Sequence, residues 1–431
     1  MEPLRVGLCG LGTVAQGVLR ILSDNAADIE RRAGRPIVVT QVASRRMRPE
    51  VDLGDIGFST DVRTIPEHPD VDVVVELIGG EDTALELQQA ALEAGKAVVT
   101  ANKAVIALHG DELFEIAERQ GVPICFEAAV AGGIPIISAI TRGLAANEVQ
   151  WIAGIINGTA NYILTAMTER GEAFDEALAE AQRLGYAEAD PTFDIEGIDA
   201  AHKLTILAAL AFGMDFRFSE VYTEGISRIS AEDVEYARRL GYRIKHLGVA
   251  RRTDAGVELR VHPTLVPDYR LLANVQGVMN AILVHGNAAG DTLYYGAGAG
   301  ELPTASAVVA DLVEIARGKA LLPKRQDGSG LEVVPIIESE SAYYLRIPAL
   351  DRPGVFARVA TILADHNISI EYAEQRAQAI HTDKDQAWVP IVIVTQRVPE
   401  RVMNDALATV QALSEVVGEI TRIRVDDLDD A

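Results

Sequence analysis

Residues 4–17 read LRVGLCGLGTVAQG. Leu4 to Cys9 form a short apolar run, two glycines follow, and Thr13 to Ile29 continues with the spacing of a helix. That order is strand, tight turn, helix. Gly10, Gly12 and Ala15 have the spacing of a dinucleotide fingerprint. Gly10 makes the turn, Gly12 lets backbone approach a pyrophosphate, and Ala15 allows close packing of helix on sheet. The N–H groups at the helix start, at Thr13 and Val14, then meet the negative charge of the phosphates. A glycine pattern alone is weak, so its weight depends on what surrounds it.

A second strand-like run, Ile37 to Ala43, ends at Ser44-Arg45-Arg46, and a third, Val71 to Ile78, is almost unbroken valine, leucine and isoleucine. Such runs suit a parallel sheet covered on both faces. Helix patterns at 83–94 and 104–119 alternate with strand patterns at 97–100 and 122–126, which is the βαβ rhythm. Residues 1–130 therefore read as a doubly wound, Rossmann-type α/β domain that binds NAD(P). An acid at the end of the second strand would accept hydrogen bonds from an adenosine ribose. Ser44, Arg45 and Arg46 stand there instead, and guanidinium groups suit a 2′-phosphate. The expectation is NADP(H) in preference to NAD(H), with solvated arginines at a strand exit as the plain alternative.

The middle of the chain changes character. Residues 148–156 read as a strand, Thr159–Arg170, Phe174–Leu184 and Ile198–Phe212 as helices, 245–251 and 257–262 as strands, and Pro303–Arg317 as a helix. Ser230 starts a further helix, with Asp233 completing an approximate capping box. This is an α+β substrate and dimerisation domain spanning 131–318. Gly318 to Gly330, GKALLPKRQDGSG, is the strongest boundary signal, and 319–340 is taken as a linker. Residues 341–431 give strand 342–349, helix 354–366, strands 368–379 and 387–395, helix 399–412 and strand 415–425. That β-α-β-β-α-β order is ferredoxin-like.

The 431 residues are 48% hydrophobic and 24% charged, enough for several compact units. With 39 basic and 63 acidic side chains the net charge is −24, a field that opposes unspecific binding to nucleic acid or anionic membrane. The two cysteines, Cys9 and Cys125, each sit in an apolar run and suggest neither a disulfide scaffold nor a zinc site. No stretch approaches the length of a membrane span, and MEPLRVGLCG enters a strand pattern without a basic leader. The expectation is a cytoplasmic protein.

The residues of the middle segment also carry chemistry. Asp199 and Lys203 are four apart at the start of an apolar helix, hence on one face. An ordinary helix salt bridge is the plain reading. Glu188, Asp190, Asp194 and Glu196 precede them in a segment of little helical regularity. Convergent carboxylates suit a substrate ammonium, and a lysine suits a substrate carboxylate or a reacting oxygen.

Several motifs in one order make the reading specific: GLGTVAQGV, VVELIGG at 74–80, TANKA at 100–104, FEAAVAGGIPII at 126–137, NGTANYIL at 157–164, EADPTFDIEGIDAAHK at 188–203 and GAGAGELPTASAVVADL at 296–312. With ALDRPGVFARVATILADHNISI at 349–370, the chain resembles homoserine dehydrogenases that carry a C-terminal ACT domain, over nearly its whole length. The resemblance implies reversible interconversion of L-homoserine and L-aspartate 4-semialdehyde with a nicotinamide cofactor, in threonine and methionine biosynthesis. By motif position Glu188 and Asp194 correspond to substrate-binding acids. Asp199 corresponds to the residue that orders Lys203 and the reacting oxygen, and Lys203 to the lysine assigned to proton transfer. Lys103 matches a second lysine near substrate and nicotinamide, an alternative proton donor or carboxylate binder. An unperturbed lysine is a ready acid near neutrality, and the oxidation direction, which needs it as a base, should fare better at alkaline pH.

Asn157-Gly158-Thr159 joins a strand to a helix; Gly158 permits close ligand approach, and Thr159 either caps the helix or touches nicotinamide or substrate. The resemblance sets Gly298 and Glu301 beside the cofactor, in a segment, 296–318, that returns towards the nucleotide domain. Glu301 is given no proton-transfer role. The loop with Glu127, Val130, Gly132 and Ile134 corresponds to a monovalent cation site, usually Na+, made mainly of main-chain oxygens; a purely structural loop is the alternative. The ACT domain implies L-threonine as effector or, more plainly, a dimerisation module, and the family implies a homodimer or a larger ACT-mediated assembly. A different NAD(P)-dependent dehydrogenase and a nonenzymatic amino-acid sensor are the competing classes. Lys103, Asp199 and Lys203 together speak against the sensor.

Overall fold

The computed structural model describes residues 2–49, 51–320, 330–375, 381–383 and 386–429, with the backbone alone at 381–383 and 386. The chain divides into two compact units. The first comprises the chain up to Gly158 together with Asp199–Val221 and Val278–Leu331; the second comprises Thr159–Ile198, Tyr222–Gly277 and Glu332 onward.

In the first unit, β1 (Leu4–Cys9), β2 (Ile37–Ala43), β3 (Gly57–Ser59), β4 (Val73–Glu76), β5 (Ala97–Thr100) and β6 (Ile124–Cys125) make a parallel sheet in the order β3-β2-β1-β4-β5-β6. The order reverses between β1 and β4, which opens a crevice at the carboxyl ends of these two strands. Every residue of β4 and β5 is buried, as a sheet covered on both faces requires. Thr13–Ile29 is two helices instead of the single one expected: α1 (Thr13–Asp24) and α2 (Ala26–Ala33) meet at Asn25, whose φ of −111° and ψ of 19° leave the helical path. α3 (Asp82–Glu93) and α4 (Lys103–Gln120) follow β4 and β5.

A late segment completes this layer. The helix Glu301–Ala316 packs on α1, where a Cβ on Gly17 would lie 2.8 Å from the Glu301 carbonyl and 2.9 Å from the Ala305 side chain. Ala305, Val308 and Leu312 enter the same core as Val6, Leu8 and Val73. Strand Val149–Ile155 pairs antiparallel with Met279–Gly286, which pairs with Gly290–Ala297. The hairpin 279–297 is absent from the sequence reading, because glycines at 286, 290 and 296 blur its alternation.

The second unit contains the antiparallel pair Tyr242–Thr253 and Gly256–Pro267, in continuous register. Helices Gly158–Arg170 (from Thr159), Phe174–Arg183 and Ala231–Arg239 contribute Ile163, Ala177, Ala181 and Val234 to one apolar cluster with Ile244 and Leu265. The capping box is present: the Asp233 N–H donates to Ser230 Oγ at 3.2 Å, and the Ser230 N–H donates to Asp233 Oδ2 at 3.0 Å.

The C-terminal strands run Glu340–Leu350, Ile370–Gln375, Gln386–Thr395 and Thr421–Val425, with helices Val355–Asp365 and Glu400–Gln411. In space the last strand lies beside the first, then the third, then the second, with each neighbouring pair antiparallel. That is the ferredoxin-like sheet. Val359 and Leu363 of one helix and Met403 and Val410 of the other bury against Tyr343, Leu345 and Ile393. The last strand is shorter than the expected 415–425, and Val416 makes one isolated bridge to Ala349. Thr421–Val425 also runs parallel to Gly256–Pro267 at Thr264 and Arg424. Residues 321–329 of the expected boundary, the end of the 368–379 strand and, within the polar connection at 378–388, residues 378–380, 384 and 385 lie outside the described residues.

Candidate active site

The carboxyl ends of β1 and β4 carry the fingerprint turn. Gly10 has φ +106°, and a Cβ there would lie 2.6 Å from the Leu77 carbonyl, so the turn itself demands glycine. Gly12 is the N-cap of α1, with no side-chain cap, and a Cβ added to it would meet no protein atom within 4 Å. Packing does not require glycine at position 12. The open space over the N–H groups of Thr13 and Val14 fits the approach of a dinucleotide pyrophosphate. Ala15 is fully buried. Ser44 is half-buried beyond β2, and Arg45 and Arg46 are exposed.

Glu76, at the end of β4, is fully buried. Its carboxylate accepts from the Ile78 and Gly79 N–H groups at 2.9 and 3.3 Å, from Gln88 Nε2 at 3.0 Å and from the Thr100 hydroxyl at 2.7 Å. Thr100 Oγ1 accepts from the Asn102 N–H at 2.9 Å. Asn102 caps α4 through the Val105 N–H and donates to the Gly80 carbonyl at 2.7 Å. The network fixes the turn from which Lys103, the first residue of α4, projects. The sequence reading misses Glu76; an acid ending an otherwise unbroken apolar strand was the available signal.

Lys103 Nζ lies 3.2 Å from Asp199 Oδ1, and Lys203 Nζ lies 2.7 Å from Asp199 Oδ2. Lys203 also donates to the Ile156 carbonyl at 2.8 Å, and Asn157 Nδ2 donates to Asp199 Oδ2 at 2.8 Å. Asp199 and Lys203 stand one turn apart on the helix Ile198–Phe212. Burial alone would raise the Asp199 carboxyl, but the ammonium groups of Lys203 and Lys103, with hydrogen bonds from Lys203 and Asn157, hold it below the ordinary carboxylate range. His202 stacks on Phe218 with ring centroids 4.2 Å apart. Burial, then the Lys103 charge, pushes its imidazole down to about 4. The structure therefore brings together an ionised carboxylate and two ammonium groups. A group that can give up a proton and a field that favours a growing oxyanion are both present.

The glycine-rich loops are packed against protein. A Cβ on Gly158 would sit 2.8 Å from the Val278 carbonyl, and one on Gly298 would strike Asn280. Gly132, with φ +46°, faces the Gly298 carbonyl, and the Gly133 N–H donates to the Ala297 carbonyl at 3.0 Å. Glu301 opens its helix against Gly17. The Glu127 carboxylate accepts from the Ile137 and Ser138 N–H groups at 2.8 and 2.9 Å. Burial raises its pKa against those bonds. Its carboxylate is thus spent on the protein, leaving main-chain oxygens of Glu127, Val130, Gly132 and Ile134 as the donor set in question. Among the described residues no group of three or more His, Cys, Asp or Glu side chains is arranged to hold a metal.

Thr159, Glu188 and Asp194 belong to the second unit. Thr159 is not the helix cap: it is the second residue of Gly158–Arg170, and its hydroxyl donates to the Tyr186 carbonyl at 2.7 Å. Glu188 is exposed and Asp194 half-buried in the short helix Thr192–Ile195. Asp190 accepts from the Thr192 N–H, and Glu196 accepts from the Ser227 hydroxyl at 2.8 Å.

Cys9 is buried, Cys125 is half-buried, and both are free. Burial pushes both thiols up, away from nucleophilic chemistry. A separate cavity of about 560 Å³ lined by Phe114, Phe126, Met214 and Phe216 contains none of Lys103, Asp199 or Lys203. Proton transfer needs the charged cluster, so the cavity is not the candidate site. No helix among the described residues is long and apolar enough to cross a membrane.

A family model described as homoserine dehydrogenase matches residues 135–313, one described as its NAD binding domain matches 10–127, and the ACT domain model matches 343–415. The chain is 56% identical to the homoserine dehydrogenase of Pseudomonas aeruginosa, covering 99% of this chain and 100% of that one. It is 49% identical to that of Neisseria gonorrhoeae, covering 100% of both. A crystal structure of a homoserine dehydrogenase from Thiobacillus denitrificans superposes with a TM-score of 0.94 at 52% identity, covering 99% of each chain. A hyperthermophilic archaeal homoserine dehydrogenase in complex with NADPH is 26% identical with a TM-score of 0.61, over 73% of this chain and 97% of that one.

Proposed function

Since the chain belongs to the homoserine dehydrogenase family, an NAD(P)-dependent oxidoreductase of amino-acid biosynthesis interconverting L-homoserine and L-aspartate 4-semialdehyde, we propose Lys203 as its principal proton-transfer residue. Asp199 and Lys103 act as its electrostatic partners. The single observation that carries this is the Asp199 carboxylate held between Lys203 at 2.7 Å and Lys103 at 3.2 Å. The nicotinamide, when bound, supplies or accepts the hydride. In reduction the Lys203 ammonium stabilises charge growing on the carbonyl oxygen and gives it a proton. In oxidation the neutral amine takes the hydroxyl proton, so this direction gains from alkaline pH. Asp199 keeps two like charges close together, and Lys103 is the alternative proton donor or the binder of the substrate carboxylate.

Glu188 and Asp194 are assigned to the substrate ammonium, with Gly158 and Thr159 beside the reacting groups. These assignments rest on motif position. Gly10, Gly12, Thr13 and Val14 hold the pyrophosphate, with Gly298 and Glu301 at the cofactor's edge. Ser44, Arg45 and Arg46 favour a 2′-phosphate, hence NADP(H), and a relative that binds NADPH supports the choice. Na+ binds the main-chain oxygens of Glu127, Val130, Gly132 and Ile134. L-threonine binds the ACT domain and inhibits. The domain limits are 1–130, 131–318 and 341–431, with 319–340 as linker. The protein works as a homodimer or a larger ACT-linked assembly, in the cytoplasm where such biosynthesis supplies its substrate, and its acidic surface repels nucleic acid.

Steady-state rates in a matrix of homoserine or aspartate semialdehyde, NAD(H) or NADP(H), sodium and threonine test these points together. Rates unchanged by threonine reject the regulatory part, and rates unchanged after rigorous removal of sodium and potassium reject the cation.

A further inference from the structure

Within the second unit a chain of contacts runs from the ferredoxin-like module to the acidic segment that contains Asp194. Arg424, in the last strand, is 1% exposed. Its guanidinium binds Glu400, the first residue of the helix Glu400–Gln411, through Nη2 at 2.6 Å and Nε at 3.1 Å. Tyr343 OH donates at 2.7 Å to Oε2 of that acid, the oxygen that Arg424 Nε also binds. The remaining Nη1 reaches out of the module to Glu224 Oε2 at 2.7 Å. Glu224 also accepts from Tyr222 OH at 3.0 Å.

Glu224 begins a strap. Its N–H donates to the Val261 carbonyl at 2.8 Å, and its carbonyl receives His246 Nε2 at 3.0 Å. Gly225 is glycine because a Cβ there would strike the Glu196 carboxylate and lie 2.8 Å from the Ile195 carbonyl. The Ile226 N–H donates to that same carbonyl at 2.9 Å, and Ser227 Oγ donates to Glu196 Oε1 at 2.8 Å. Ile195 and Glu196 directly follow Asp194. A buried cation that lost one of its two acids would keep the other, so the module would still fold around Glu400, while the strap would lose its charged tie to the module and keep its neutral bonds to Val261 and His246.

We propose that Arg424, through Glu224, is a positioning residue for the acidic segment 188–196, by which the C-terminal module sets the shape of the substrate's ammonium site. The inference rests on the reading of Asp194 as a substrate acid, and its tests separate the two. Glu224→Gln removes the charge without a change of shape and leaves Arg424 paired with Glu400. It should raise the homoserine KM about tenfold, leave kcat and the NADP+ KM within about twofold, and speed amide hydrogen exchange in 190–197. A merely structural role would lower the melting temperature without that split. Ser227→Ala, at the exposed end of the strap, should act in the same direction and more weakly.

An Asp194→Asn variant with a raised KM beside a Glu224→Gln variant with unchanged KM and unchanged exchange in 190–197 overturns the coupling and spares the substrate acid. If Asp194→Asn leaves KM unaltered, the reading of the acid fails and exchange decides the coupling. Faster exchange in Glu224→Gln then sustains it, and wild-type exchange overturns it.

Discussion

Lys203 Nζ lies 2.7 Å from Asp199 Oδ2, one turn away on the same helix, while Lys103 Nζ approaches Oδ1 of the same carboxylate from a different helix at 3.2 Å. One carboxylate between two ammonium groups leaves the cluster with an excess of positive charge. That excess suits an incoming anion or a developing alkoxide, and it binds the two lysine motifs into one site.

Replacing Lys203 with methionine removes the proposed acid and base while keeping most of the side-chain volume. Turnover should fall by about 10² to 10⁴, the usual span for general acid–base catalysis, with nucleotide affinity within a few-fold of wild type by fluorescence titration. The same change at Lys103 should raise the homoserine KM more than it lowers kcat if that lysine binds the carboxylate. Turnover within threefold of wild type in the Lys203 variant would reject it as the principal proton carrier.

Asp199 gives a pH signature whose sign can be fixed. Its carboxyl is held below the ordinary range in the folded protein, whereas an unfolded aspartate titrates near about 3.9. The stabilisation is therefore fully present above about pH 4 and is lost as pH falls through the depressed folded value. Asp199→Asn leaves two ammonium groups without their counter-ion and should cost about 3–5 kcal/mol at pH 7. Urea denaturation at pH 7, 5 and 3.5 should show that gap constant between the first two and narrower at the last. A gap that stays the same at pH 3.5 contradicts the assigned ionisation.

Much of this site was legible in the sequence, for definite reasons. The turn at Gly10 is local chemistry, the spacing of Asp199 and Lys203 is set by helix geometry, and the capping box at Ser230 and Asp233 lies within four residues. What was illegible depends on partners distant in sequence. Glu76 is tolerated in a buried strand only because Gln88 and Thr100 supply donors from later elements. Thr159 looks like a cap until the Tyr186 carbonyl takes its hydroxyl. The break at Asn25 interrupts a helical pattern that hydrophobic spacing alone would carry through.

His202 supplies a further titration. Its imidazole is pushed down to about 4 by burial and by the Lys103 charge, against about 6.5 in an unfolded chain. The unfolded state therefore binds more protons between those values, so this residue lowers stability progressively as pH drops from about 6.5 towards 4. An NMR titration should find the His202 ring neutral at pH 6, and His202→Asn should flatten the pH dependence of stability in that window. A ring that titrates near 6.5 would place it in a wetter, less charged setting than the one described.

Gly10 and Gly12 separate a glycine that the fold demands from one whose surroundings leave room for a side chain. At Gly10 both φ +106° and the Leu77 carbonyl at 2.6 Å oppose a side chain, so Gly10→Ala should destabilise the free enzyme by more than about 1–2 kcal/mol. Gly12 has an ordinary φ of −81° and open space around its Cβ position. Gly12→Ala should therefore leave the melting temperature of the free enzyme nearly unchanged, yet weaken NADP+ binding at least tenfold, because the methyl group fills the approach to the pyrophosphate. Calorimetry for binding and thermal unfolding of the nucleotide-free protein read the two effects separately. If Gly12→Ala binds NADP+ like wild type, the pyrophosphate does not pass over this turn and the nucleotide assignment of β1 and α1 fails with it.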